Sequence, residues 1–287
     1  MQNEDLKDKV YIVTGANSGI GYEAARNFAR RGATVALVCR DAGRGAKALQ
    51  AIQAEVPAVE PLLYLADFSS LRSVAELSQR LLSDFDRIDV LCNNAGAAFG
   101  KRSLTDEGFE RTLVTNHLSG FLLTQNLIPR MLETGRASPV RIVFSSSLGH
   151  TNSPIDFDDL GLAQGYTTLK AYGRTKLMNL LLARGLHRRY SDQNLVASAF
   201  HPGTVRTAIW GKGGWLASLL GLGLAPFMIS SEKGADTLVW LASDPESLQA
   251  AGRYYFRRQP ERVARFATDA AAQQLWDVSE ALIEPYR

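Results

Sequence analysis

The chain has 287 residues, 46% of them hydrophobic and 21% charged, with a formal net charge of +3. That length admits one large α/β domain or two small ones, and the composition is that of an ordinary globular protein. The small positive charge comes with no long Lys/Arg stripe, which excludes an argument for nucleic acid; Arg257, Arg258, Arg262 and Arg265 read as a solvated face.

The N-terminus is polar and runs within a few residues into an apolar stretch at Lys9, so no signal peptide, anchor or transmembrane segment is expected and the protein is expected to be cytoplasmic. Lys9 to Gly21 reads as strand, loop and helix: a short apolar run, then Gly15, Gly19 and Gly21, then Ala24, Ala25, Phe28 and Ala29 at helical spacing behind Ile20, with Gly32 closing the helix. A helix N-terminus at such a loop presents unpaired N–H groups and a positive dipole end, which suit a phosphate. Ala33 to Cys39 is a nearly continuous apolar run, as in a strand covered on both faces. A helical stripe at Ala46, Leu49, Ile52 and Val56 stops at Pro57. Strand Leu62 to Ala66 follows, then a helix capped by Ser70 and strand Ile88 to Cys92. A long helix is expected from Thr105 to Leu132. Val140 to Ser146, Ala171 to Tyr190, Val196 to Phe200, Glu232 to Leu241 and Arg253 to Phe256 continue the alternation of strand and helix. The pattern predicts a single α/β domain, a doubly wound parallel sheet of about seven strands with ligands at the strands' carboxyl ends. Cys39 and Cys92 end apolar strands and read as buried thiols of a reducing compartment.

The glycine spacing is neither Gly-x-Gly-x-x-Gly nor a P-loop. Thr14 to Gly21 instead resembles the Thr-Gly-x-x-x-Gly-x-Gly loop of the short-chain dehydrogenase/reductase family. Further along, Tyr172 and Lys176 lie one turn apart on one helix face. A tyrosine at its reference pKa of about 10 is a poor base, and a nearby lysine charge is expected to lower it. Such a pair is common on exposed helices; its company here is Asn116 and Ser147, the latter just past a strand where a hydroxyl can hydrogen-bond a reacting carbonyl. With Asn93-Asn94-Ala95-Gly96 and Pro202-Gly203 in order, the resemblance covers nearly the whole chain. It implies a Rossmann-type fold and hydride transfer between a nicotinamide and a carbonyl carbon. Tyr172 would be the acid/base, Ser147 would orient the oxygen, Lys176 would also bind the nicotinamide ribose, and Asn116 would hold a water linked to the lysine.

The resemblance further implies a cofactor held by Gly15, Asn17, Ser18, Gly19, Ile20 and Gly21, by Asp67 with Phe68 at the adenine, by Asn93, Asn94, Ala95 and Gly96 along the adenosine, and by Pro202, Gly203, Val205 and Thr207 at the carboxamide, with Tyr172 and Lys176. At the end of the second strand an acid would favour NAD(H), whereas an arginine pairs with a 2′-phosphate. Arg40 stands there, with no acid until Asp41, so NADP(H) is expected. The four histidines lack paired metal-ligand spacing, and no metal is expected.

Ser147 and Tyr172 are farther apart than is usual in the family. Together with Ser147-Leu-Gly-His150, Cys39-Arg-Asp41 and Leu275-Trp-Asp-Val-Ser-Glu280, this resembles the retinol dehydrogenase-like branch, whose members favour NADP(H) and apolar carbonyls. Residues 207–230 are apolar, aromatic and broken by glycine, with too many breaks to span a bilayer. They read as a lid over an apolar aldehyde, ketone or alcohol, with Trp210, Trp215, Leu219 and Phe227 as contacts; core helix, a peripheral membrane contact and an oligomer interface are alternatives. The main reading is an NADP(H)-dependent carbonyl reductase or alcohol dehydrogenase. A non-catalytic NADP(H)-binding regulator on the same fold is the alternative, and family analogy adds a homo-oligomer.

Overall fold

The computed structural model describes residues 4–204 and 229–287. Its first strand, β1 (Val10–Thr14), is buried along its whole length, as a run of β-branched and aromatic residues favours. Beside it on one side lie β2 (Thr34–Cys39) and then β3 (Leu62–Leu65); on the other lie β4 (Val90–Asn93), β5 (Val140–Ser145), β6 (Leu195–Phe200) and β7 (Tyr254–Phe256). All these neighbours pair in parallel. An eighth strand, β8 (Gln259–Pro260), adds an antiparallel edge; it is too short to leave a periodic signal in sequence. Strand order reverses between β1 and β4, and in such sheets the reversal opens a crevice at the carboxyl ends.

Successive residues of β1 go to opposite sides, as a strand's period of two requires. Tyr11 and Val13 join a cluster with Phe28, Ile52 and Leu238, under α1 (Gly19–Arg30), α2 (Ala42–Glu55) and α7 (Ser231–Ser243). Val10 and Ile12 join Leu77, Leu127, Leu181 and Leu275, under α3 (Leu71–Asp84), α5 (Ser119–Gly135), α6 (Thr168–Tyr190) and α8 (Asp269–Ile283).

The helix expected from Thr105 starts later. Leu104 bridges Glu110, and the buried Glu110 carboxylate accepts from Thr112 N and Leu113 N at 2.8 Å each, capping the short α4 (Arg111–Leu113). A π-turn, Val114–Leu118, then leads into α5. Helix α8 is not among the elements expected from the sequence. Its Trp276 packs edge-on against Phe121 of α5 at 5.1 Å, under the Arg189 guanidinium of α6 at 3.9 Å, and its Ser279 meets His117 Nε2 at 2.8 Å. Among the described residues no helix is long and apolar enough to cross a membrane.

Candidate active site

At the end of β1, Thr14 ties three strands together. Its hydroxyl donates to Cys92 O at 3.1 Å and accepts from the backbone N–H of Asn94 and Ala95 at 2.9 Å. The Asn94 amide returns a bond to Thr14 O at 3.0 Å and accepts from the Ser145 hydroxyl at 3.1 Å. The glycine loop rests on this frame. Gly19 has φ +58°, a region that disfavours side chains, and a Cβ on Gly21 would fall 2.5 Å from Gly15 O and 2.6 Å from Asn94 Nδ2.

Helices α2, α3, α6, α7 and α8 each begin with a side-chain cap. On α1 the cap residue Ser18 makes no such bond, and the first turn has no acid. Its N–H groups therefore face a cleft of about 420 Å³ with the donor pattern an anion needs. Gly15, Asn17, Ser18, Gly19 and Ile20 line it from the loop; Arg40 lines it after β2, Asp67 and Phe68 after β3, and Asn94, Ala95 and Gly96 after β4. These are backbone donors, a cationic end and apolar walls in one groove, which fits a dinucleotide.

Asn93 takes another part. Its side chain is buried and donates to Thr124 of α5 at 2.9 Å, away from the cleft. Gly21 packs beneath the loop. Sequence reasoning missed Arg44, which lines the cleft beside Arg40 and pairs with Asp41 at 3.5 Å; its place four residues beyond Arg40, in the first turn of α2, was the available signal. Ala97, Phe99, Thr115 and Ser231 also line the cleft.

The catalytic candidates converge at the neighbouring end of the edge. Ser147 follows β5 and caps a 3₁₀ turn, Leu148–Asn152; its hydroxyl accepts from Gly149 N at 3.2 Å and lies near the Tyr172 phenol. One turn along α6, buried Lys176 places Nζ 5.3 Å from the Tyr172 ring centre and donates to Ser145 O at 3.0 Å. The expected lowering of the tyrosine pKa by the lysine is not found. Burial pushes Tyr172 up to about 12, opposed only by the Ser147 hydrogen bond, and burial also pulls Lys176 down to about 8. Desolvation sets the direction of both shifts.

Asn116 sits on the π-turn, where an extra residue per turn re-aims side chains. Its Oδ1 accepts from Ala97 N at 2.7 Å, and its Nδ2 donates to Ala97 O at 2.9 Å and Thr175 Oγ1 at 3.1 Å. The amide thus clamps the loop after β4 to α6. Gly96 fits between: a Cβ there would lie 3.3 Å from both Asn116 Oδ1 and Lys176 Nζ.

Pro202 and Gly203 follow β6 at the same edge, with Gly203 N donating to His201 Nδ1 at 3.2 Å. Val205, Thr207, Trp210, Trp215, Leu219 and Phe227 lie outside the described residues, as does most of segment 207–230. Both cysteines are buried free thiols, raised in pKa by burial. Among the described residues no cluster of three His, Cys, Asp or Glu side chains could hold a metal ion.

Comparison with known proteins agrees with this geometry. The family model described as short chain dehydrogenase matches residues 9–213. Over 283 residues the chain is 40% identical to a candidate daunorubicin C-13 ketoreductase, DnrU, of Streptomyces sp. (strain C5), with 97% of this chain and 93% of that protein covered. Retinol dehydrogenase 12 of Mus musculus is 37% identical over 284 residues, covering 98% of this chain and 88% of that one. Among solved structures, an uncharacterized protein from Mycobacterium paratuberculosis superposes with a TM-score of 0.77 at 30% identity, over 97% of this chain and 94% of the other.

Proposed function

This chain belongs to the short-chain dehydrogenase family, in its retinol dehydrogenase-like branch, and on that premise we propose that it is an NADP(H)-dependent reductase of apolar aldehydes or ketones. The observation that carries the reading is the convergence of the Ser147 hydroxyl, the Tyr172 phenol and Lys176, whose Nζ lies 5.3 Å from the Tyr172 ring centre, at the edge where the uncapped α1 N-terminus opens. A bound nicotinamide supplies the hydride to the carbonyl carbon. Tyr172 gives its phenolic proton to the carbonyl oxygen, and solvent restores it. Tyr172 is protonated at neutral pH and so can give its proton to a carbonyl oxygen. Ser147 donates a hydrogen bond to the same oxygen and fixes its direction. Lys176, held by Ser145 O, keeps a positive charge near the phenolate as it forms.

Arg40 and Arg44 at one end of the cleft support the 2′-phosphate form of the cofactor. The names of the relatives, a ketoreductase and retinol dehydrogenases, support an apolar carbonyl or alcohol as substrate. The test follows loss of NADPH absorbance, with NADH in parallel, as the protein meets apolar aldehydes and ketones including retinal. Turnover with NADPH that disappears in Tyr172→Phe is expected. Turnover that survives in that variant removes Tyr172 from the mechanism, and tight NADPH binding with no turnover on any carbonyl returns the regulator reading.

A further inference from the structure

Behind the catalytic face, Tyr254 of β7 stands between two histidines that the mechanism does not use. Its ring meets His150 edge-on at 4.9 Å and stacks on His201 at 5.6 Å; Phe256 stacks on His201 at 4.1 Å. His150 is 0% exposed, and His201 and Tyr254 are 2% exposed. The hydrogen bonds assign the tautomers. His150 Nδ1 lies 2.7 Å from Ser147 O, and a carbonyl can only accept, so Nδ1 carries the proton. His201 Nδ1 receives the Gly203 N–H, so there Nε2 carries it. Among the described residues both Nε2 atoms are buried without a partner, and the Tyr254 hydroxyl lies near Ser146 without a well-formed bond.

Buried polar atoms left unpaired cost stability, and their clustering calls for a reason. The reason lies in what the paired nitrogens hold. His150 grips the backbone of Ser147, whose hydroxyl meets Tyr172; His201 grips the loop after β6. The Ser147 turn has no slack on its other side. A Cβ on Gly173, the residue after Tyr172, would fall 2.3 Å from Ser153 Oγ and 2.5 Å from Gly149 O, so α6 presses directly on the turn. The turn is held between α6 on one side and, through its own His150 ring, Tyr254 of β7 on the other. Burial keeps both imidazoles neutral at pH 7, with His201 pulled down to about 4.

We propose that His150, backed by Tyr254 and His201, is a positioning residue, whose Nδ1–H fixes the Ser147 backbone so that the Ser147 hydroxyl is aimed at the Tyr172 phenol and the reacting carbonyl. This rests on the roles given above to Ser147 and Tyr172. A ring that only fills space would make a different prediction for two variants. His150→Phe keeps the ring and its contact with Tyr254 but loses the side-chain donor, leaving Ser147 O only the backbone N–H of residue 150, 3.1 Å away in the parent. His150→Asn loses the ring, yet its amide nitrogen falls where Nδ1 was.

A positioning role therefore puts the two variants in opposite orders for stability and for turnover. His150→Phe should melt above His150→Asn, yet have kcat lowered about 10- to 100-fold, the scale of a misaligned catalytic group, with NADPH Kd within about twofold of the parent. His150→Asn should recover most of kcat despite its lower Tm. Parent-like kcat in His150→Phe, or an Asn variant at least as impaired, overturns the proposal. Nitrogen-15 NMR of the unaltered protein is a second test that needs no variant to fold: His150 should be the Nδ1–H tautomer and His201 the Nε2–H tautomer, and an Nε2–H His150 overturns it. Tyr172→Phe is assayed in parallel. Activity there defeats the underlying mechanism, whereas an inactive Tyr172→Phe beside a fully active His150→Phe defeats this inference alone.

Discussion

The two halves of the carboxyl edge are made of different material. From β1 to β4 the groove is built of backbone: the bare N-terminus of α1, glycines in near contact with the chain, and the Thr14–Asn94 frame. From β5 to β7 the site is built of side chains that titrate: buried Lys176, His150 and His201, and half-buried Tyr172. The first half should tolerate changes of polarity and fail on changes of volume. The second should tolerate substitutions that keep shape and fail when a single polar atom is removed.

Tyr172→Phe is the sharpest test of that contrast. It removes one oxygen and leaves the ring, so turnover should fall about 10³-fold while NADPH Kd, followed by fluorescence, stays within about twofold. A parallel loss of binding would mean that the halves are not separable. Gly21→Val is the converse. The added carbons meet Gly15 O and the Asn94 amide, and the loop must move. Overpacking of about 1–3 kcal/mol should weaken NADPH binding about 10- to 100-fold, with a lowered Tm. Arg40→Ala should act more gently. The KM for NADPH should rise about tenfold and that for NADH should hardly change, as loss of one charged contact to a phosphate would give. Equal changes for both cofactors would remove Arg40 from the assignment, and Arg44 would be the next residue to replace.

How far the site could be read ahead follows from the same contrast. The parallel sheet was legible because each strand is a continuous apolar run and each helix has its own stripe, as at Ala24, Phe28 and Ala29. The glycine loop, Ser147, Tyr172 and Lys176 were legible because each stands at a strand end or at helical spacing. That the Asn93 side chain leaves the cleft was not legible, because the motif does not say which way alternate side chains point after β4, and Asn93 turns into α5. The direction of the Tyr172 shift was missed because burial is a property of the assembled fold. The start of the helix before Asn116 was missed because Glu110 caps it with a carboxylate drawn into the protein. His150 carries no spacing signal in the sequence; only β7, far along the chain, shows it sealed against Tyr254.

All four histidines follow β4 in the chain, and three of them, His117, His150 and His201, are buried. His117 is fully buried beside Asn116, held by Ser279 of α8, and burial pulls it down to about 3. In the unfolded chain it would titrate near 6.5. Between those values the unfolded chain binds a proton that the native protein refuses, so stability is full above pH 6.5 and declines as pH falls toward 3. His201, pulled down to about 4, and His150, also lowered, act in the same sense. Each fully titrating histidine costs about 1.4 kcal/mol per pH unit. Urea midpoints measured at pH 7, 6 and 5 should therefore fall. His117→Gln, whose amide can still reach Ser279, should show a slope smaller by about one proton. An unchanged slope would mean that His117 is not held neutral in the native fold. Hydrogen exchange at pH 5 then locates the effect: α8 and β7 should lose protection before β1 to β3 if the backbone-built half is the one without an acid-labile core.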